Sequence, residues 1–419
     1  MDRGPGRSVG ESQSGFVGAG FGSALAVVLM LVALGSVPRG AHAQCYRVTD
    51  TIEVGLQAGI SWVATRMNRS GHFCGYRDAF GTSTAFVWRG NGIEWIPLPP
   101  EATGVARAYG ISDEGIICGH ALALHPPSGN VGGVGFVIDG ASTVLVYPPL
   151  DEGGVPEGTM GLVAVNDAGV SVGWWQGADL HQHACVYMDG TLTVISDLVG
   201  GTDNAFEDIG ASGIAVGWWR AVDGMKSPFT YDTTSGEVVH LPRVDGFTTW
   251  GRLISDGGEA IAEWWPDNNG GYRRAALWDA KLGWIKVDPP VGGYRFLPTS
   301  VTDEHHVVGS TTTPTDDPVI WSDGITVRID DLQVGDETMP IGAYASSRDG
   351  SFVGPWNDLL IVVRPVGPPS GDLTHDCHVG FGDLLRILSI WGTEDPEADL
   401  DASGAVDAGD LVVLFTLWE

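Results

Sequence analysis

Two Asp-rich segments in residues 371–419, here called the tail, have the residue spacing of calcium-binding loops. Such a loop supplies oxygens from positions 1, 3, 5, 7, 9 and 12 and turns sharply at position 6, where glycine is favoured. The oxygen positions of the second loop are occupied by Asp399, Asp401, Ser403, Ala405, Asp407 and Asp410, and its position 6 by Gly404. The corresponding donors of the first loop are Asp372, Thr374, Asp376, His378 and Asp383.

The first loop departs from the pattern at two positions. Cys377 stands at position 6, where it takes the sharp turn less easily than glycine, and Gly380 at position 9 offers no side chain. The sequence therefore predicts two calcium sites, of which the second binds more tightly. The alternative is a duplicated acidic helix pair that binds no metal.

Each loop leads directly into an apolar helix, with no helix before it, and the two units repeat after 27 residues. Duplicated loop–helix units of this kind resemble the dockerin type I module. In that family, loop positions 10 and 11 help to select the partner, a cohesin; here they are Phe381-Gly382 and Ala408-Gly409, unlike the hydroxyl-bearing pairs common in cellulosomal dockerins. The resemblance implies docking to a cohesin-like or cell-surface protein.

The two tail helices are expected to pack on each other through their apolar faces. The residues expected in this contact are Leu411, Leu414, Phe415 and Trp418 on one helix and Leu384, Ile387, Leu388 and Trp391 on the other.

A short turn motif recurs seven times before the tail, as in ISDEGIICG at 111–119 and VNDAGVSVG at 165–173. The turn positions of copies one to seven, 44 to 54 residues apart, are Gly71, Gly115, Gly169, Gly213, Gly258, His305 and Gly350. Two further strand motifs follow each turn, such as AFVW from residue 85 and IEWIPLP from residue 93. Each copy therefore predicts a four-stranded antiparallel sheet.

Such a sheet cannot bury both of its faces alone, and periods of about 40–50 residues are typical of propeller blades. We therefore expect an all-β fold, a seven-bladed β-propeller over residues 44–364. A Pro/Gly linker (365–370) and the small α-helical tail should follow. The seventh copy lacks an outer strand, and residues 46–54 should supply it and close the ring.

The repeats resemble the HAF extracellular repeats of bacterial secreted proteins, which carry a His-Ala-Phe triplet and a G-I-N-x-x-G-x-V-V-G turn. His183-Ala184 keep the first two letters of the triplet, Ala85-Phe86 keep the last two, and Asn166 is the turn Asn. The resemblance covers residues 46–364. It implies an extracellular address and supplies no activity.

The N-terminal residues have the pattern of a signal peptide. An apolar run at 24–37 precedes Ala-His-Ala at 41–43, the small residues that a signal peptidase reads. We expect cleavage after residue 43, export to the extracellular space or cell surface, and no membrane span afterwards. An uncleaved anchor is the alternative, although 14 apolar residues fall short of the roughly 20 that span a bilayer.

Composition limits the partners. The chain has 52 acidic and 22 basic residues, a formal charge of -30, which repels nucleic acid and anionic lipid. The cysteine count is odd, with Cys45, Cys74, Cys118, Cys185 and Cys377, so at least one is unpaired unless the chain dimerises. Cys74 and Cys118 occupy equivalent places in neighbouring copies, where we expect buried thiols.

The ring motifs offer binding chemistry and no assigned catalytic residue. Tryptophan doublets stand at 174–175, 218–219 and 264–265. Because neighbouring residues of a strand face opposite ways, one member should pack between blades. The other, Trp175, Trp219 or Trp265, could stack on a sugar; alternatively, both are buried. His181, His183 and Cys185 alternate on one strand, which suits either a metal site or ordinary repeat positions.

These observations favour a secreted, non-catalytic binding or scaffold protein. Its ring would be a platform for a ligand or polysaccharide, and its tail a calcium-dependent docking module. The alternative is a secreted carbohydrate-active enzyme of polysaccharide breakdown, a propeller glycoside hydrolase or lyase with a dockerin-like tail. A structural protein of the cell surface is a third interpretation.

Overall fold

The computed structural model describes residues 44–55, 58–125, 129–264, 273–290, 295–312 and 316–418. The predicted signal peptide and Trp265 lie outside these residues. Within the described part of the chain, none of the helices has the length and apolarity needed to cross a bilayer.

The strands of each repeat copy pair in chain order as an antiparallel sheet. Copies one to three comprise β2–β13, which follow the N-terminal strand β1: β2 Ile60–Met67, β3 Phe73–Ala79, β4 Thr82–Trp88 and β5 Ile93–Trp95; β6 Ala102–Ile111, β7 Ile117–His125, β8 Asn130–Asp139 and β9 Ser142–Val146; β10 Thr159–Val165, β11 Ser171–Gln176, β12 Gln182–Met188 and β13 Thr191–Val194. Copies four to six comprise β14 Asn204–Ile209, β15 Ile214–Arg220, β16 Lys226–Asp232 and β17 Val238–His240; β18 Thr249–Ile254, β19 Ala260–Trp264, β20 Arg274–Asp279 and β21 Gly283–Val287; β22 Arg295–Val301, β23 Val307–Thr312, β24 Pro318–Ser322 and β25 Ile325–Arg328.

The sheet of the seventh copy is completed by the N-terminal strand. Its strands are β26 Ala345–Ser346, β27 Phe352–Trp356 and β28 Leu359–Val366, and β1 Cys45–Glu53 adds to the outer edge of β28. The antiparallel register runs from Cys45 opposite Val366 to Glu53 opposite Leu359. The closure predicted from the sequence is confirmed, and β28 also takes up the first two residues of the expected linker.

Neighbouring sheets bury their faces against each other. One apolar cluster joins Val172 of copy three to Phe206 and Phe229 of copy four. Another joins Phe86 of copy one to Val362 of copy seven, so the first and last copies are in contact. Sheets that stack face to face and return to the first form a β-propeller.

The last glycine of the turn motif is required by the close approach of two strands. A Cβ at Gly173 would lie 2.0 Å from the carbonyl oxygen of Gly161 on the inner strand, and one at Gly217 would lie 2.1 Å from that of Ala205. Any side chain there would push the two strands apart.

The tail contains two helices, α2 Phe381–Ser389 and α3 Ala408–Leu417; a single turn, α1 Ser196–Val199, lies in copy three, and short 3-10 turns lie at Val244–Gly246 and Ile329–Leu332. Ile387 and Leu414 are buried in the tail core, and Leu384 and Leu411 are partly buried there. The expected helix contact is wrong in its outer members, because Leu388, Trp391, Phe415 and Trp418 are exposed to solvent.

A disulfide between Cys45 and Cys377 joins the closing strand to the first loop of the tail. Cys74, Cys118 and Cys185 are buried thiols, which confirms the expectation for Cys74 and Cys118. Cys377 also packs in an apolar cluster with ring residues such as Tyr46 and Phe352. The tail is thus held to the ring by a covalent bond as well as by packing.

We expect Cys45→Ser to lower the free energy of unfolding by about 2–5 kcal/mol, because the disulfide restrains a long loop of the unfolded chain. Cys377→Ser and the double variant should lose the same amount, since either change removes the one bond. Urea unfolding followed by tryptophan fluorescence measures this, and dithiothreitol should abolish the difference. Equal stability of variant and wild type without reductant would contradict the assignment.

Candidate functional site

The carboxylates of the second tail loop converge. Asp399, Asp401 and Asp410 each place an oxygen within 4.8 Å of the others. Asp399 accepts hydrogen bonds from the backbone N–H groups of Ser403 (2.9 Å) and Gly404 (2.8 Å). Gly404 has φ +98, in the left-handed region that the sharp turn at position 6 requires. The loop backbone therefore holds the three carboxylates around one point.

The other predicted donors of this loop lie at its exposed surface. The Ser403 hydroxyl donates to the Ala405 carbonyl at 3.2 Å. Asp407 caps α3 by accepting from the N–H of Gly409 at 2.7 Å. A Cβ at Gly409 would lie 2.0 Å from an Asp401 carboxylate oxygen, so only glycine leaves Asp401 in place.

The first loop repeats this arrangement. Asp372, Asp376 and Asp383 also bring oxygens within 4.8 Å of one another. Asp383 accepts from the N–H groups of Leu373 (2.7 Å) and Thr374 (2.9 Å), and the Thr374 hydroxyl donates to it at 3.1 Å. Each loop thus gathers three carboxylates, from positions 1, 3 and 12 in the second loop and from positions 1, 5 and 12 in the first.

Two first-loop residues have further roles. Cys377 adopts φ +71 at position 6, in the region that favours glycine, and its sulfur is held by Cys45. The His378 N–H donates to Asp376 at 3.1 Å. Residues at positions 10 and 11 begin α2 and α3: Phe381 is 65% exposed, Ala408 is exposed, and Gly382 and Gly409 are half-buried.

The turns of the ring carry equivalent residues just after the small polar position. In chain order these are Arg69, Asp113, Asp167, Ala211, Asp256, Asp303 and Arg348. Asp113 accepts from the Arg69 N–H, Asp167 from the Asp113 N–H and Asp256 from the Ala211 N–H, each at 2.7 Å. These turn aspartates therefore bind copies two, three and five each to the preceding copy, which is a structural role.

The side chains of these turns also meet across the ring. Arg69 contacts Asp256 at 2.5 Å and forms a short ion pair with Asp303. Arg348 contacts the other oxygen of Asp256 at 2.6 Å. Because copies one and seven reach copies five and six, the turns converge on the axis of the ring.

A second layer lies beneath this one, where Arg66 of copy one forms a short ion pair with the buried Asp208 of copy four. We call these two layers the axial ion-pair cluster: Arg66, Arg69, Arg348, Asp208, Asp256 and Asp303. The cavity beside it measures about 30 Å³, enough for about one water molecule. Each acid of the axial ion-pair cluster is therefore paired with an arginine.

The tryptophan doublets divide differently from the expectation. Trp175 and Trp219 are half-buried at the rim, where their rings lie 5.0 Å from the His183 ring and 4.9 Å from the His240 ring. In copy five the register pairs Glu263 with Ala275, so Trp264 occupies the place of Trp175 and Trp219 and is buried at 3% exposure. The doublets are therefore not equivalent.

The alternating residues of β12 are separate in their contacts. His181 pairs with Asp203 at 3.2 Å and His183 with Asp179 at 2.8 Å. Cys185 is fully buried, and burial raises the pKa of its thiol to about 12. This arrangement suits ordinary repeat positions.

A charged cluster that the sequence analysis does not predict lies between copies four and five. Glu207 accepts from the indole nitrogens of Trp218 (3.0 Å) and Trp250 (2.9 Å) and from Arg252 (2.7 Å). Lys226 Nζ lies 3.2 and 3.7 Å from the centroids of the two indole rings. Burial lowers the pKa of Lys226 to about 8 and raises that of Glu207. The cluster joins two sheets, and residues so far apart in sequence form no linear motif.

No protein-family profile and no curated protein matches the chain. Solved structures similar to it include the propeller domain of the Trilobed protease from Pyrococcus furiosus, at 12% identity and TM-score 0.46, covering 70% of this chain and 90% of that one. Virginiamycin B lyase from Staphylococcus aureus is similar at 9% identity and TM-score 0.44, covering 77% and 100%. YCF48 bound to D1 peptide is similar at 13% and 0.44, covering 78% and 97%. Likeness of this degree identifies no activity.

We expect Arg69→Gln to destabilise the ring by about 1–2 kcal/mol at pH 7. A fully buried pair would lose more, but the Arg69 side chain is 41% exposed. Burial already raises the pKa of Asp303, against the lowering effect of Arg69. Without Arg69 that pKa rises further, so the folded variant binds the proton more tightly than the unfolded chain. The stability loss should therefore shrink as the pH falls.

Urea unfolding at pH 7 and pH 4.5 measures this change. Arg89→Gln is the control, because Arg89 forms an exposed pair with Glu94 at 2.9 Å and should cost less than about 1 kcal/mol. A loss for Arg69→Gln that is the same at both pH values would contradict an electrostatic role.

Proposed function

We propose that this chain is a secreted binding or scaffold protein. Its ring would be a seven-bladed propeller of HAF-like repeats that serves as a ligand- or carbohydrate-binding platform. Its tail would be a dockerin-like module that binds calcium and docks to a cohesin-like or cell-surface protein. The observation that carries the proposal is the pair of tail loops that each bring three carboxylates together.

The donor set of the loops suits calcium. Calcium prefers six to eight oxygen ligands at about 2.3–2.6 Å, including carboxylates and backbone carbonyls. Asp399, Asp401 and Asp410 supply carboxylates that already lie within 4.8 Å of one another. Clustered negative charges repel at this range, so a divalent cation would stabilise the loop and the start of α3.

Docking through the tail is supported by apolar side chains that both helices leave in solvent. Phe381 and Leu388 of α2 are 65% and 50% exposed, and Val412 and Phe415 of α3 are 65% and 56% exposed. Large apolar side chains that are exposed together in this way are often covered by a protein partner. They begin at loop positions 10 and 11, where the dockerin resemblance expects partner selection.

Export is supported by the disulfide. Structural disulfides persist in oxidising compartments and are rare in the cytosol. The bond between Cys45 and Cys377 starts two residues after the proposed signal-peptidase cut and ends in the tail. A protein with this disulfide is suited to the oxidising cell exterior.

We expect Asp399→Asn and Asp410→Asn each to weaken calcium binding at the second loop at least tenfold, about 1.4 kcal/mol. Asp372→Asn should affect only the weaker first site. Isothermal titration of the chelator-treated full chain with calcium measures both sites. Glu394→Gln, an exposed acid between the loops, is the control and should change neither. Absence of calcium binding in the wild type would refute the metal assignment.

The platform role is tested by exposing the full chain, with calcium, to a panel of insoluble polysaccharides. Bound protein and released reducing sugar are measured together. We expect binding without release, weakened at least threefold by Trp175→Ala or Trp219→Ala and unchanged by Trp418→Ala in the tail. Sugar release would instead support the carbohydrate-active enzyme, and no binding to any polysaccharide would refute the platform.

A further inference from the structure

The turn between β3 and β4 places a bulky residue in an unfavourable backbone conformation. Ala79 pairs with Thr82, which leaves a two-residue turn of Phe80 (φ +49) and Gly81 (φ +85). Turns of this type favour Asn-Gly or Asp-Gly, because both residues need positive φ. Phe80 is also 82% exposed, so burial of its ring does not offset the strain.

Elsewhere the chain uses the favoured residues in the same kind of turn. Asp189-Gly190 and Asp323-Gly324 each connect two paired strands, with φ values of +51 and +78 and of +49 and +87. Phe80 therefore differs from the Asp residues that this chain places first in those two-residue turns. Strained residues that packing does not require are common at ligand-binding sites.

A second irregularity lies opposite this turn. The register of β6 shifts between Ala102 and Ala106, and Gly104 within the shift has φ +65. The displaced Val105 pairs in parallel with Ser83 of copy one. Among the described residues, this is the one place where strands of two copies join into a single sheet. Bulges of this kind commonly redirect side chains beside binding sites.

The Phe80 turn and the shifted part of β6 flank an open cavity of about 280 Å³, here called the Phe80 cavity. Phe80, Ala79 and Val105 contribute its apolar lining, and Asp78 and Arg107 its charged groups. The volume lies just below the usual range of about 300–1,000 Å³ for small-molecule sites, so it admits one or two sugar units.

The polar groups of the cavity are fixed in place and remain accessible. Arg107 donates through Nε to the Ser83 hydroxyl at 3.1 Å, and its terminal nitrogen lies 3.3 and 3.4 Å from the Asp78 carboxylate oxygens. The guanidinium also lies 4.8 Å from the centroid of the Tyr76 ring. Arg107 and Asp78 are nevertheless 37% and 38% exposed.

This arrangement points to a neutral ligand. The charges of Asp78 and Arg107 cancel, and an ionic ligand would disrupt that pair and leave one charge without its partner. Adjacent hydroxyls can donate to the carboxylate and accept from the guanidinium at once. The apolar face of a sugar ring can pack on Phe80.

We propose that the Phe80 cavity binds a neutral sugar unit of a polysaccharide chain. This inference rests on the proposed role of the ring as a carbohydrate platform and assigns a site to it. The two-residue turn places Phe80 in the lining of the cavity in the absence of sugar. Phe80 is therefore a ligand-binding residue that lowers the stability of the turn.

The decisive variant is Phe80→Asn, because Asn-Gly is favoured in this turn and the fold is preserved. Full-length protein is titrated by calorimetry with cellohexaose, xylohexaose, mannohexaose and maltohexaose, and with the anionic hexagalacturonate. We expect at least one neutral hexasaccharide to bind, and Phe80→Asn to weaken it at least tenfold while Tm is unchanged or higher. Asp78→Asn and Arg107→Gln should also weaken binding at least tenfold.

Leu180→Asn is the matched control, since Leu180 is also an exposed apolar residue at positive φ (76% exposed, φ +63) in the equivalent turn region of copy three. It should leave the affinity unchanged. Undiminished binding by Phe80→Asn, or a lower Tm for it, would overturn this site while the polysaccharide panel could still support the platform. Binding of hexagalacturonate alone would overturn the neutral ligand, and binding of no hexasaccharide would overturn the inference.

Discussion

The pairing of β1 with β28 is the contact on which the rest of this structure depends. Each sheet of the ring buries its faces only against its neighbours, so the stack is stable only if its first and last members meet. β1 completes the last sheet, and that sheet packs on Phe86 of the first copy. The disulfide between Cys45 and Cys377 then joins this closing strand to the tail. Nine residues at the start of the described chain thus hold the ring and the tail together.

The fold could be predicted wherever the information is local. A small polar residue and a glycine specify the turn within most copies, and the second glycine is required by the close approach of the strand that precedes the turn. Because this turn recurs in every copy, the same local pattern predicts every sheet of the ring. The disulfide could not be predicted, because 332 residues separate its cysteines and no spacing rule brings them together.

The same distinction applies to the candidate sites. The tail loops were found because all donors of one site lie within 12 residues. The axial ion-pair cluster and the contacts of Lys226 combine residues from different copies, and their distances depend on the curvature of the ring. The third tryptophan doublet was misread by one residue, because Glu263 and Ala262 replace the residues that mark the register in β11 and β15.

Acidic residues converge at two places in this molecule. At the axis of the ring, Arg66, Arg69 and Arg348 form ion pairs with Asp208, Asp303 and Asp256. The tail has eleven acids and a single arginine, Arg386, which pairs with Asp395 outside the loops. Backbone N–H groups hold the convergent carboxylates of its loops in place. The ring supplies arginines to its converging carboxylates. We infer that the converging carboxylates of the tail instead bind calcium from solution.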